Sequence, residues 1–224
     1  MVRLSSEERE LLTRMLTSHA YREKLAVERF KEAIRLLPSN QSERYWLNVI
    51  EEEQEHYDGC LLLANELGLD LEPLVAVRML RQPAGIPPFY SWLDVLLAHA
   101  FNDRAGYHVL VGLIGSKVRS YGILAEQIIA EEEAHGTSGA TALVDYYSSL
   151  PDTPERGHTL LKHLDAAVAC LGHPNTLGDS EAVRSGLKTR SAEATLMEFC
   201  KDVDGVLAKL DRQDLIPIIL RYKR

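Results

Sequence analysis

The chain has 224 residues, 46% of them hydrophobic and 26% charged, with a formal net charge of −8 and a pI near 5.5. That length can bury one good core, and an acidic balance without a basic stripe argues against a nucleic-acid partner. The charged start and the lack of a long apolar run imply neither a signal peptide nor a membrane span.

Cys60, Cys170 and Cys200 lie far apart and form no Cys-x-x-Cys pair, so they read as reduced thiols of a cytoplasmic protein with no spacing for an iron–sulfur cluster. The basic cluster Arg221-Tyr222-Lys223-Arg224 reads as a solvated tail.

Ser5-Ser6-Glu7-Glu8 predicts a capped helix start, and Pro38 a helix end. At about 100° per residue, Leu12, Met15, Leu16, His19, Ala26, Phe30, Ile34 and Leu37 share one face. Glu23 lies near the centre of that face and Glu28 points away from it. A carboxylate centred on a core seam is costly unless it is paired or binds metal, which makes Glu23 a ligand candidate.

The second helix follows a Ser39-Asn40-Gln41-Ser42 cap and is predicted to end at Gly68. Its seam carries Trp46, Val49, Ile50, Glu53, His56, Tyr57, Cys60, Ala64 and Leu67. Glu51, Glu52 and Glu55 fall outside or at the margin of that seam and read as solvated charges. The proline-rich stretch 69–88 is a long crossover in which Glu72 to Leu80 can form a short helix.

A third helix from about Phe89 to Gly115 places Trp92, Leu96, His99, Asp103, Tyr107 and Leu110 on its seam. The fourth, from about Lys117 to Ser148, carries Tyr121, Ala125, Ile128, Glu132, His135, Gly139 and Leu143. Gly136 and Gly139 suggest a bend after His135. Glu131 and Glu133 read as solvated. After Pro151 a helix over Pro154 to Leu171, a loop over Gly172 to Gly178 and a helix over Ser191 to Leu210 are predicted, with Pro217 leaving the last segment irregular or strand-like.

Two Glu-x-x-His pairs stand out. Glu53/His56 recurs as Glu132/His135 at an offset of 79, and His19/Glu23 recurs as His99/Asp103 at an offset of 80. Such a repeat of helix pairs is what a pseudo-two-fold dinuclear site requires. The expected fold is therefore all-α: a ferritin-like four-helix bundle over 1–150 with a long crossover between its second and third helices, and a C-terminal helical extension over 151–224 packed on it.

The expected metal ligands are Glu23, Glu53, His56, Asp103, Glu132 and His135, with His19 and His99 as partners that orient the carboxylates. Four carboxylates balance the charge of two divalent iron ions, and one nitrogen per metal suits iron or manganese better than zinc. Tyr57, Tyr107 and Tyr121 can line the site or pack in the core. His108, His158, His163 and His173 show no ligand spacing.

This ligand pattern, together with Ser185-Gly186-Leu187-Lys188-Thr189-Arg190-Ser191 and the following Val203-Asp204-Gly205-Val206-Leu207-Ala208-Lys209-Leu210, resembles the phenylacetic-acid-catabolism family of ferritin-like diiron proteins. The resemblance spans most of the chain and implies an oxygenase subunit of the phenylacetyl-CoA epoxidase type. Such an enzyme epoxidises or hydroxylates a small organic substrate with O2, takes electrons from a separate reductase, and occurs as a homo-oligomer or paired with a paralogous subunit. Lys188 and Arg190 are then either contacts for an anionic group or structural ion-pair residues. The alternative on the same scaffold is a ferritin-like iron oxidase or another diiron hydroxylase, such as a tRNA-modifying one.

Overall fold

In a computed structural model, described over residues 3–81, 86–174 and 176–223, the chain is all-helical. In order the helices are α1 (Ser6–Ala33), α2 (Glu43–Glu66), α3 (Glu72–Leu80), α4 (Trp92–Val111), α5 (Arg119–Ser149), α6 (Pro154–Cys170), α7 (Leu177–Arg184), α8 (Ala192–Lys209) and α9 (Ile216–Ile219). No strand occurs among the described residues, and none of their helices is long and apolar enough to cross a membrane. Pro83, Ala84 and Gly85 of the crossover lie outside the described residues.

The caps explain where the long helices begin. Ser5 and Glu8 form a reciprocal capping box at α1, and the Ser42 side chain accepts from the Tyr45 amide at α2. At α4 the start moves from the expected Phe89 to Trp92, because the Asp94 carboxylate accepts from the amides of both Tyr90 and Ser91 and holds them outside the helix.

α1 and α2 form one antiparallel hairpin, in which the Arg9 guanidinium near the start of α1 donates to the Leu67 carbonyl just past the end of α2. α4 and α5 form the second. The two hairpins meet mainly through α2 and α5 and through aromatic contacts of Trp46 with Trp92 and His99. α3 lies in the crossover and packs on α1.

α5 runs without interruption to Ser149, and its glycines serve helix contact. A Cβ at Gly139 would lie 2.6 Å from the His99 carbonyl carbon, and one at Gly136 2.7 Å from Arg104 Cγ, so these positions let the backbones of α4 and α5 approach closely. α7 forms where the sequence suggested only a loop and undefined chain, started by a Thr176 cap. The last segment is a run of short helical turns, not a strand, with Pro217 in the first turn of α9, where its missing N–H has no helical partner to lose.

α4 is buried on nearly every side, well beyond the single seam expected for it: Leu93, Val95, Leu97, Ala98 and Phe101 are buried as well. The reason is the C-terminal extension, whose α6 and α8 cover the face of α4 that the hairpins leave open. His163 on α6 contributes an Nε2 3.0 Å from Asp94 at the start of α4, and Asp202 on α8 pairs with Arg104 and His108. Lys188 is likewise used structurally, in a 2.6 Å bond to Asp179.

Candidate metal centre

Each of the four long helices turns titratable side chains inward at the same level. Glu23, Glu53, His56 and Glu132 are buried and offer ligand atoms that all lie within 4.8 Å of one another. Asp103 and His135 are also buried but flank this group. His135 Nδ1 is 3.5 Å from Glu53 Oε1, and Asp103 lines the same pocket as Glu23, Glu53 and Glu132. Glu28 faces outward towards Lys24 and Lys31.

The histidines decide what the cluster can hold. His56 donates from Nε2 to Glu131 at 2.6 Å, and His135 donates from Nε2 to Glu52 at 2.8 Å. Each bond crosses from one hairpin to the other, and each carboxylate is the residue just before the other helix's seam glutamate. With Nε2 committed to a carboxylate, both Nδ1 atoms face the cluster, where a metal that displaces their proton would find a lone pair, and neither has a hydrogen-bond partner among the described residues. Glu53 Oε1 and Glu132 Oε2 are orphaned in the same way.

Glu52 and Glu131 therefore correct the sequence reading, which took both for solvated charges. They are half-exposed, so the outer part of each carboxylate stays in water while the inner oxygen fixes an imidazole. Glu133, Glu51 and Glu55 are exposed.

The remaining carboxylates are also held. His19 Nε2 lies 3.0 Å from Glu23, and the Tyr121 hydroxyl lies 3.3 Å from His19 Nδ1. His99 Nδ1 bonds Asp103 at 2.6 Å, while its Nε2 meets the Tyr45 hydroxyl at 2.8 Å. In both halves a histidine one turn before a carboxylate is in turn held by a tyrosine of the other hairpin. Tyr45 was not singled out from the sequence, because it falls outside the α2 seam. Of the other tyrosines considered, Tyr57 sits under the Lys24 ammonium and Tyr107 stacks edge-on against His108.

Taken by themselves, the side chains of the cluster strain one another electrostatically. Burial would raise the Glu23 carboxyl, but His19 and His56 offset this and hold it well below the ordinary range. Glu53 is pushed well above its ordinary value by burial and by the charges of Glu23 and Asp103, and Glu132 by burial, Glu53 and Asp103. His56 is pushed up to about 10: burial opposes its charge, but Glu23, Glu53 and Glu132 outweigh burial. Inward carboxylates that mutually resist ionisation are relieved by divalent cations.

Gly106 supplies the space. A Cβ there would come within 2.8 Å of Glu132 Oε2, so only glycine lets this carboxylate lie against α4. Four carboxylates, two imidazole Nδ1 atoms, unpartnered acceptors and this cradle form a donor set that could hold an oxygen-preferring divalent metal.

Beside the carboxylates lies a small pocket of about 40 Å³, with Leu25, Ala26, Ile86, Val109 and Leu110 on its apolar side. Asn102 also lines it, buried, with both amide atoms lacking a partner among the described residues. Asn102 had no sequence signal, since it lies one position off Asp103 and outside the predicted seam. A separate cleft of about 480 Å³ reaches Glu132 between α4, α5 and α8, lined by charged side chains including Arg104, Glu133, Lys201 and Asp202. No family model and no curated protein matches the chain.

Proposed function

We propose that the chain is a ferritin-like dinuclear carboxylate protein that binds two iron ions, or manganese in their place, and uses them for dioxygen-dependent oxidation of a small organic substrate. The observation that carries this reading is the pair of crossed carboxylate–histidine bonds, which aim two Nδ1 atoms at a set of four buried carboxylates. When bound, the reduced metal pair supplies binding and reduction of O2, with electrons from a separate reductase. The resemblance to the phenylacetic-acid-catabolism family makes an aromatic acid or its acyl-CoA ester the first substrate class to try.

The chain's own groups have definite tasks. Glu23, Glu53, His56, Asp103, Glu132 and His135 hold the metals. His19 and His99 orient Glu23 and Asp103. Glu52 and Glu131 keep the histidine protons on Nε2. The apolar wall of Leu25, Ile86, Val109 and Leu110 limits water at the site. The Asn102 amide offers one donor and one acceptor to whatever occupies the pocket.

One observation favours a second reading. The 40 Å³ pocket has room for roughly three water molecules and not for an aromatic ring. An oxidase that reduces O2 with iron itself as substrate, reached through the charged cleft at Glu132, needs no larger space.

Metal analysis followed by reductant-dependent O2 uptake separates these. We expect close to two metal ions per chain, lost in Glu53→Ala, and O2 uptake that rises with one member of a panel of acyl-CoA esters and free aromatic acids. Uptake that follows added ferrous iron and ignores the whole panel supports the oxidase. Full metal content in Glu53→Ala sinks both.

A further inference from the structure

Away from the carboxylates, α1 and α3 enclose an open groove of about 610 Å³ that shares no lining residue with the metal pocket. Its α1 side is Thr13, Thr17 and Tyr21, which fall one turn apart on a single face, and its α3 side is Leu74, Val77 and Arg78. Arg14 and Arg81 complete the rim.

Three features set this groove apart from an ordinary surface furrow. It gathers three guanidinium groups in a chain whose net charge is −8, and none of the three has an ion-pair partner among the described residues. Arg104, Arg29 and Lys188, which are largely buried, are paired with Asp202, Glu32 and Asp179, whereas the three groove arginines are exposed. Arg78 is held in place by the Tyr21 ring, 4.7 Å from its centroid, so its fork is oriented before any ligand arrives.

The second feature is apolar. Leu74 and Val77 are 43% and 47% exposed on the same wall, beside the buried Tyr21 ring. The third is the Thr17 hydroxyl, which is buried on the groove side of α1 and lacks a hydrogen-bond partner among the described residues. A buried hydroxyl without a partner is uncommon and points to a group that supplies one. The volume falls in the range of small-molecule sites.

We propose that this groove is a binding site for an organic phosphate with an apolar arm, its phosphate held by Arg14, Arg78 and Arg81 and its arm lying along Leu74, Val77 and Tyr21. Guanidinium forks match phosphate oxygens in pairs, and three of them suit a dianionic head better than a single carboxylate. The apolar wall requires more than a bare anion. This inference stands independently of the metal chemistry.

The test is calorimetric titration of the full-length protein with octyl phosphate below its micelle-forming range, with inorganic phosphate and octyl glucoside as partial probes. One octyl phosphate per chain should bind with Kd below about 1 mM, roughly tenfold more tightly than either partial probe. Arg78→Gln and Arg81→Gln should each weaken it roughly tenfold, the loss expected for one charge-assisted contact. Val77→Asp, an exposed change that puts a carboxylate into the wall along which the apolar arm lies, should abolish it, and circular dichroism checks that the variants remain folded. Binding that is unaltered in Arg78→Gln and Val77→Asp overturns the proposal, as does inorganic phosphate binding equally well. Preferential binding to phosphatidylglycerol vesicles over monomeric octyl phosphate also overturns it in favour of a lipid surface.

Discussion

At the scale of single residues, the most informative pair is Glu52 and Glu131. Each sits on the shoulder of its own helix, half in solvent, and reaches across to the distal nitrogen of the opposite histidine. Partners of this kind fix the tautomer and raise the basicity of a metal-binding imidazole, and their loss typically weakens metal affinity about 10- to 100-fold. Because both carboxylates are partly hydrated, we expect Glu52→Gln and Glu131→Gln each to fall near the lower end, about tenfold. Glu133→Gln, the exposed neighbour, should change affinity less than about twofold. Competition with a chromogenic chelator measures all three, and equal effects at Glu131 and Glu133 would rule out the crossed arrangement. The inward histidines were legible in the sequence because they must share a face with the core. Glu52 and Glu131 were not, because whether a shoulder carboxylate reaches a partner depends on the phase and spacing of a helix about 80 residues away.

At the scale of elements, α4 and α5 make a close contact at Gly139, which lies over the His99–Ala100 backbone. A methyl group there meets carbonyl and amide atoms at 2.6 to 2.8 Å, which a side-chain rotation cannot relieve. Gly139→Ala should destabilise the fold by about 1–3 kcal/mol, the usual range for overpacking, and shift His99 away from Asp103. Gly205 on α8 has nothing within 4 Å of the equivalent position. There alanine should stabilise by about 0.5–1 kcal/mol through helix propensity alone. Urea midpoints of the two variants provide the comparison, and a neutral Gly139→Ala would show that the helices can separate freely. In the sequence Gly136 and Gly139 looked like helix weakeners, which is the intrinsic tendency of glycine. Close packing gives Gly139 the opposite role.

For the whole molecule, the extension is what makes α4 a central helix. Its docking rests partly on His163 of α6, fully buried with Nε2 3.0 Å from Asp94, beside the α4 cap. Burial holds the His163 imidazole below its ordinary value, although Asp94 pulls it the other way. The Asp94 carboxyl is also held below its ordinary value: burial opposes this, but the bonds from His163 and Ser91 prevail. A neutral imidazole donating to an ionised carboxylate satisfies both directions.

The unfolded chain protonates His163 near pH 6.5 while the folded chain resists until lower pH, so the unfolded state binds more protons as pH falls below about 6.5. Stability from this residue is then full above that pH and declines below it, by at most about 1.4 kcal/mol per pH unit. The Asp94 contribution is present above an unfolded pKa near 3.9 and is lost only as pH falls through its lower folded value. Urea unfolding at pH 7.5 and 5.5 should show the decline, and His163→Gln, which keeps an N–H for Asp94, should reduce it. An unchanged pH dependence in that variant would falsify the assignment.

The sequence by itself determined the helices of the two hairpins and the inward position of Glu23, Glu53, His56, Asp103, Glu132 and His135. Both follow from one local rule, that residues three and four apart share a helix face, and a polar residue on an apolar face stands out. Only the tertiary structure decided the crossed carboxylates, the Gly106 cradle for Glu132, the place of the Asn102 amide in the pocket and the arginine groove on α1 and α3. Each of these depends on which face of one helix meets which face of another. Side chains that act across such a contact carry no periodic signal in their own segment.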